Sequence, residues 1–247
     1  MTLPRQVRPG TTYLLTRRTV LREFLLTPSR QLNQLVLYCL GLAAHRYGVQ
    51  LHGFCVMSNH PHTVATDAAG RLPEFEGWFH EFTAKAINAS LGRWGALWEP
   101  GTYSAVDCIT AQDALDAMTY TVTNPVAAAR VTRADLWPGV NILPSDLGRT
   151  IRVKRPTFFR ADGPLPDEVK LTFVPPPGYE HLTLQAFQAL WQQRIEAEEA
   201  RLRAEVHASG RRFAGRRAVR RQSPHDRAKS RERRRALNPR IKCRDQH

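Results

Sequence analysis

Residues 49–66 read VQLHGFCVMSNHPHTVAT, and the fold turns on this stretch. Val49 to Met57 is rich in strand formers, Ser58-Asn59 is a turn pair, and His62 to Thr66 returns as a second short strand. Two strands this close in sequence pair as a hairpin. His60-Pro61-His62 lies at the start of the return strand. Along an extended chain residues i and i+2 point to the same side, so both imidazoles can converge on one ion. Imidazole suits several divalent metals, and the spacing chooses none of them. Two surface histidines beside a turn are the other reading of the same three residues.

Outward from the hairpin, the periodicity sets the remaining elements. Thr11 to Arg17 (TTYLLTR) predicts a first strand. Thr27 as N-cap and Pro28 as first helical residue open a helix to about Tyr47, stopped at Gly48. Pro73 opens another helix, with Phe75, Phe79, Phe82 and Ala86 on one stripe. Thr102 to Cys108 is a fourth strand, and Thr110 with Asp113 resembles a capping box for a helix to about Asn124. Pro125 is expected to end or kink that helix. The order strand, helix, strand, strand, helix, strand, helix predicts an α+β fold. It is a ferredoxin-like antiparallel sheet with helices on one face. Beyond Pro138, Thr150 to Phe159 and Glu168 to Phe173 read as strands, and Leu182 to Ala208 as a long helix.

The third helix carries the second chemical candidate. Leu115, Met118 and Val122 form an apolar stripe, and Tyr120 and Asn124 project together from the opposite side. A tyrosine kept for packing belongs on the stripe, although a surface tyrosine touching a loop fits the same placement. A phenol is a weak nucleophile at neutral pH. A divalent ion held by His60 and His62 would polarise a phosphodiester, and Tyr120 attack would conserve the bond energy in a phosphotyrosine link. That is strand transfer rather than hydrolysis.

The run Phe54-Cys-Val-Met57-Ser-Asn59-His60-Pro61-His62-Thr-Val64 resembles the histidine–hydrophobic–histidine (HUH) motif of single-tyrosine transposases. Tyr120-Thr-Val-Thr-Asn124-Pro125-Val126 is similar to the tyrosine-to-NPV segment of their REP-associated branch. The resemblance spans roughly Thr11 to Trp137. It implies a metal-assisted endonuclease that cleaves and rejoins single-stranded DNA at hairpins or palindromic repeats through a 5′-phosphotyrosine intermediate. The expected cofactor is magnesium or manganese, with His60 and His62 as ligands and Tyr120 as nucleophile. Asn124 stands where relatives often carry a glutamine that completes the metal site. Pro61 departs from the usual aliphatic or aromatic middle residue. A domesticated DNA-binding protein without turnover is the alternative. A relaxase or replication initiator fits less well, since relaxases usually carry the tyrosine near the N-terminus and a third histidine. The resemblance also implies a bacterial, cytoplasmic, DNA-associated protein, monomeric or homodimeric.

Composition sets bounds on these readings. The chain has 247 residues, 42% of them hydrophobic, and a net charge of +14, which excludes a wholly disordered chain and favours an acidic partner. MTLPRQVRPG at the start carries no apolar signal core, and no apolar run approaches the ~20 residues of a membrane span. Cys39, Cys55, Cys108 and Cys243 are widely spaced and read as ordinary thiols. The charge is uneven: residues 211–247 hold 15 Lys+Arg against 3 acids, a surplus of +12 that leaves +2 for the rest. The predicted organisation is a catalytic domain over 1–145, a β-rich extension over 146–180, a helix over 181–209 and a basic tail over 210–247. So dense a run of like charge predicts a disordered tail. Its Arg211, Arg212, Arg216, Arg217, Arg220, Arg221, Arg233, Arg234 and Arg235 are expected to neutralise DNA phosphates with little sequence preference.

Overall fold

The computed structural model describes residues 7–101, 103–228 and 240–241. The hairpin forms as β2 (Val49–Met57) and β3 (His60–Asp67), with Met57 opposite His60 across the two-residue Ser58-Asn59 turn. The return strand thus begins two residues earlier than the pattern predicts, because the turn is as tight as a hairpin allows. β1 (Thr11–Thr16) pairs antiparallel with the other edge of β3, placing Thr16 opposite His62. β4 (Ser104–Cys108) pairs antiparallel with β1. The four strands run β2-β3-β1-β4, the order of a ferredoxin-like βαββαβ unit.

Helices α1 (Arg30–Tyr47) and α2 (Leu72–Ser90) pack together, and Phe79 of α2 meets Phe54 of β2 edge-on at 6.3 Å between centroids. The cap of α1 is Ser29, not Thr27: the Ser29 hydroxyl accepts from the Leu32 amide, whereas Thr27 donates to the Phe24 carbonyl. Ser29 has the extended backbone an N-cap needs, two residues further on than expected. Gly48 ends α1 in the left-handed conformation (φ 69°). Asp67 governs entry to α2, its carboxylate accepting from the amides of Arg71 (2.9 Å) and Leu72 (2.7 Å).

The third helix, α3 (Ala111–Ala127), covers the other face of the sheet. A Cβ on Gly53, whose neighbour Phe54 faces α2, would stand 3.5 Å from Met118 of α3. The Thr110–Asp113 capping box is present. Pro125 does not end the helix: the Ala128 amide still reaches the Asn124 carbonyl at 2.9 Å. A proline forfeits one backbone bond. Burial of Leu115, Met118, Val122 and Val126 against the sheet and α4 outweighs that loss.

The free edge of β2 is covered by chain from beyond the sheet. Val56 and Ile142 donate to the carbonyls of Val140 and Phe54, and the Val174 amide donates to Leu51. Covering an edge in this way removes a template for aggregation. His52, at the β2 bulge, ties the extension to the core. Its Nδ1–H donates to the Val174 carbonyl, so Nε2 accepts from the Thr66 hydroxyl (2.7 Å), which in turn takes the Thr12 proton. β5 (Thr150–Lys154) and β6 (Glu168–Thr172) form a separate hairpin against α1, which approaches at Gly41. α4 (Leu184–Ala208) buries Phe187, Trp191, Ile195, Leu202 and Val206 along one stripe. Glu199 shares that stripe, its carboxylate accepting from the Ala134 amide at 2.6 Å.

The described part of the basic tail, residues 211–228, is packed where a disordered segment is expected. Residues 211–228 are ordered against the body, including a five-residue helix α5 (Arg216–Arg220). Val219 is fully buried with Cys55, Met57, Val131 and Trp137. Ala214 and Gly215 donate to the carbonyls of Ala129 and Arg130, and Phe24 donates to Asp226. One well-placed valine and a ladder of backbone bonds offset the repulsion that composition alone emphasises. Arg240–Ile241, labelled β7, adds parallel to β4. Arg233, Arg234, Arg235 and Cys243 lie outside the described residues, while Cys39, Cys55 and Cys108 are buried free thiols. Among the described residues no helix is long and apolar enough to cross a membrane.

Replacing Val219 with Asp buries a charge in that apolar notch and should release residues 211–228. Trypsin should then cut after Arg216, Arg217 and Arg220 about tenfold faster or more, as expected for losing one buried valine. Equal cleavage rates in variant and parent would show that the segment is not held through Val219.

Burial holds His52 neutral, pushed down to about 4, and drives His62 and His80 well below the ordinary imidazole range. An unfolded chain takes up protons on these residues below about pH 6.5, and the folded chain does not. For His52 stability is therefore complete above that pH and falls between about 6.5 and 4, at up to ~1.4 kcal/mol per pH unit. Urea unfolding at pH 7.5 and pH 5 should show the loss, and His52→Gln should reduce it by the share of His52. An unchanged slope in His52→Gln rejects the assignment.

Candidate active site

Three elements meet at the start of β3. Alternation along the strand puts His60 and His62 on one face, with ring centroids 4.6 Å apart. α3 crosses that same face and brings its polar side over the histidines. Tyr120 lies edge-on to His62 at 5.3 Å between centroids, and Asn124 Nδ2 sits 3.2 Å from His62 Nε2. All four predicted residues of the site are thus drawn together, from segments about 60 positions apart. Tyr120 keeps 44% of its surface exposed, whereas Asn124 and His62 are buried.

With the Asn124 amide as placed, the hydrogen bonds assign the His62 tautomer. An amide nitrogen only donates, so His62 Nε2 must be the bare, accepting nitrogen. The ring proton then sits on Nδ1 and is donated to the Thr16 hydroxyl at 2.8 Å. Burial, reinforced by His60 and by the positive charge of Arg18, keeps this imidazole neutral. His60 follows the same pattern, with Nδ1 donating to Asn59 Oδ1 at 2.7 Å. Each histidine is therefore oriented through Nδ1, the arrangement by which ligating histidines are held for coordination through Nε2.

This donor set fits a divalent ion. Two imidazole nitrogens stand beside an amide that presents Oδ1 in place of Nδ2 when turned about its last torsion. Among the described residues no group of three or more His, Cys, Asp or Glu stands together. Two imidazoles and one amide fall short of six ligands, so a divalent ion held here would take its remaining ligands from outside these three residues.

The turn before His60 is braced from two directions. Thr19 donates through its amide (2.9 Å) and its hydroxyl (3.1 Å) to the Asn59 carbonyl, and Leu26 donates to the Ser58 carbonyl. From the tail, Gln222 Oε1 accepts from the Ser58 hydroxyl at 2.7 Å. Thr16, Arg18, Asn59 and Gln222 are site residues that sequence reasoning missed. Asn59 adjoins His60 and was within reach of inspection. Thr16 requires the β1–β3 register and Gln222 a contact across 164 positions, and neither leaves a local signal.

The arginines expected to meet DNA divide by position. Arg211, Arg212, Arg216, Arg217, Arg220 and Arg221 are exposed on the docked segment. That segment runs from the end of α3, where Arg211 donates to the Ala127 carbonyl, to Gln222 at the histidine turn. The exposed arginines thus lie on a segment that ends at the turn before His60.

No family model matches the sequence, and no curated protein matches it. Solved structures do. A REP-associated tyrosine transposase bound to a REP hairpin aligns at 16% identity, covering 59% of this chain and 84% of that one, with a TM-score of 0.50. A candidate transposase from Deinococcus radiodurans R1 aligns at 17% identity, over 46% of this chain and 91% of that one, with a TM-score of 0.34. This chain has the fold of the REP-associated tyrosine transposase.

Proposed function

We propose that the protein is a member of the REP-associated branch of single-tyrosine transposases, which cleaves and rejoins single-stranded DNA at hairpins. The observation that carries the reading is the convergence of Tyr120, His60, His62 and Asn124 on one face of the sheet. Tyr120 is the exposed member and the nucleophile. Its phenolic oxygen attacks the phosphorus, the bond to the 3′ oxygen breaks, and a 5′-phosphotyrosine forms. The phenol gives up its proton and the departing 3′ oxygen gains one. A later strand's 3′ hydroxyl reverses the exchange and frees Tyr120, so no bond energy is lost to water.

His60 and His62 would hold a magnesium or manganese ion through Nε2, with the Asn124 amide oxygen as third protein ligand. When bound, the ion neutralises charge on the phosphodiester. Thr16 and Asn59 fix the two rings, and the Arg18 charge beside His62 favours an anion at the same mouth. The exposed arginines of residues 211–221 supply phosphate contacts without reading sequence.

Incubation with labelled single-stranded hairpins and manganese tests the chemistry. Wild type should give a denaturation-resistant adduct on the 5′ side of the cut, and Tyr120→Phe none. His62→Ala should lose both the adduct and manganese binding by calorimetry. Manganese binding unaffected by His60→Ala and His62→Ala, with no adduct on REP-type hairpins, would leave a DNA-binding protein without turnover.

The arginine row has its own readout. Replacing Arg216, Arg217, Arg220 and Arg221 together with Ala should reduce the slope of log affinity against log salt by about 3, at roughly 0.7–0.9 for each phosphate no longer neutralised. A slope equal to wild type would exclude these side chains from the phosphates.

A further inference from the structure

Of the five tryptophans in the chain, Trp98, Trp137 and Trp191 are buried and Trp78 stacks on Phe82. Trp94 is different: it is 96% exposed. The loop that carries it, between α2 and β4, is tightly built. Gly92 (φ 60°) and Gly95 (φ 103°) bracket Arg93-Trp94 in left-handed backbone, and a Cβ at either would meet nothing within 4 Å. Asn88 Nδ2 donates to the Gly95 carbonyl (2.8 Å), and the Arg93 guanidinium donates to Asn88 Oδ1 (3.0 Å). Trp98 anchors the base through its indole N–H on the His80 carbonyl (2.8 Å). So many local bonds order a loop whose largest side chain packs on nothing.

The loop is also joined to the candidate site. Val20 donates to the Leu97 carbonyl and Glu99 to the Arg18 carbonyl, while Thr19 donates to Asn59, the residue before His60. On the joined segment Leu21 is 63% exposed and, with Arg22, takes left-handed backbone (φ 51° and 58°), a conformation disfavoured for both. Two exposed apolar groups therefore stand on segments that backbone bonds tie to the turn before His60, and Arg93, Arg18 and Arg22 belong to the same segments.

We propose that Trp94 is a stacking platform for a nucleobase of single-stranded DNA whose backbone runs to the candidate site. The proposal rests on the DNA reading given above and adds the surface that holds an unpaired base. An indole face accepts any base, and neighbouring arginines suit the phosphates between bases. Duplex DNA keeps its base faces stacked inside and gains nothing from the same indole.

The test compares a labelled oligothymidylate of about 20 nucleotides with a blunt duplex of about the same length, by fluorescence anisotropy on the full chain. Trp94→Ala should weaken oligothymidylate binding about tenfold and leave duplex binding within about twofold. Trp94→Phe, which keeps a π-face, should retain most of the affinity. It should also lose part of the tryptophan quenching that the oligomer causes in wild type. If Trp94→Ala binds oligothymidylate as wild type does, the platform is overturned and the DNA reading stands. If Trp94→Ala loses single strand and duplex equally, a general contact replaces stacking and the proposal falls. If wild type binds neither probe, both readings fall together.

Discussion

Pairing of β3 on both of its edges is the constraint on which the rest depends. The strand is held by β2 on one side and β1 on the other, and α3 packs across one of its faces. Side chains alternate with a period of two, so a slip of one residue would turn every one of them to the opposite face. His60 and His62 would leave α3, and Thr16 would no longer stand opposite His62. The tight Ser58-Asn59 turn and the burial of Val64 and Ala65 on opposite faces hold the register. Chemistry and packing are thus specified by the same ladder.

α3 completes the site by compromise. Its apolar stripe faces the sheet, and its cap is satisfied by Thr110 and Asp113. Its polar side must still pass close to buried histidines, where an unpartnered amide would be costly. Asn124 meets that demand by donating to His62. Tyr120, one turn earlier, stays open to solvent and to whatever the site receives.

Residues 211–228 show how a charge argument can be right in sum and incomplete in structure. The tail carries most of the positive excess, and its described arginines are exposed. Yet the segment is anchored by Val219 and by Gln222 on Ser58, so the charge is aimed rather than loose. A fixed row of arginines presents its positive charge in a set direction from the body.

The element order, the hairpin and the antiparallel α+β class were legible in the amino-acid sequence because each rests on local rules. Strand alternation, the Thr110–Asp113 cap and the Gly48 stop act within a few residues. The pairing of His60 with His62 and of Tyr120 with Asn124 was legible too, since i, i+2 spacing and helical phase follow from local geometry. Other features were decided only by tertiary structure. Continuation of α3 through Pro125, the Thr16 and Gln222 supports and the docking of Val219 depend on surfaces far apart in the chain. Local preference is worth about a kilocalorie per residue, and burial against a distant partner is worth more. Wherever the two disagreed, the packed structure prevailed.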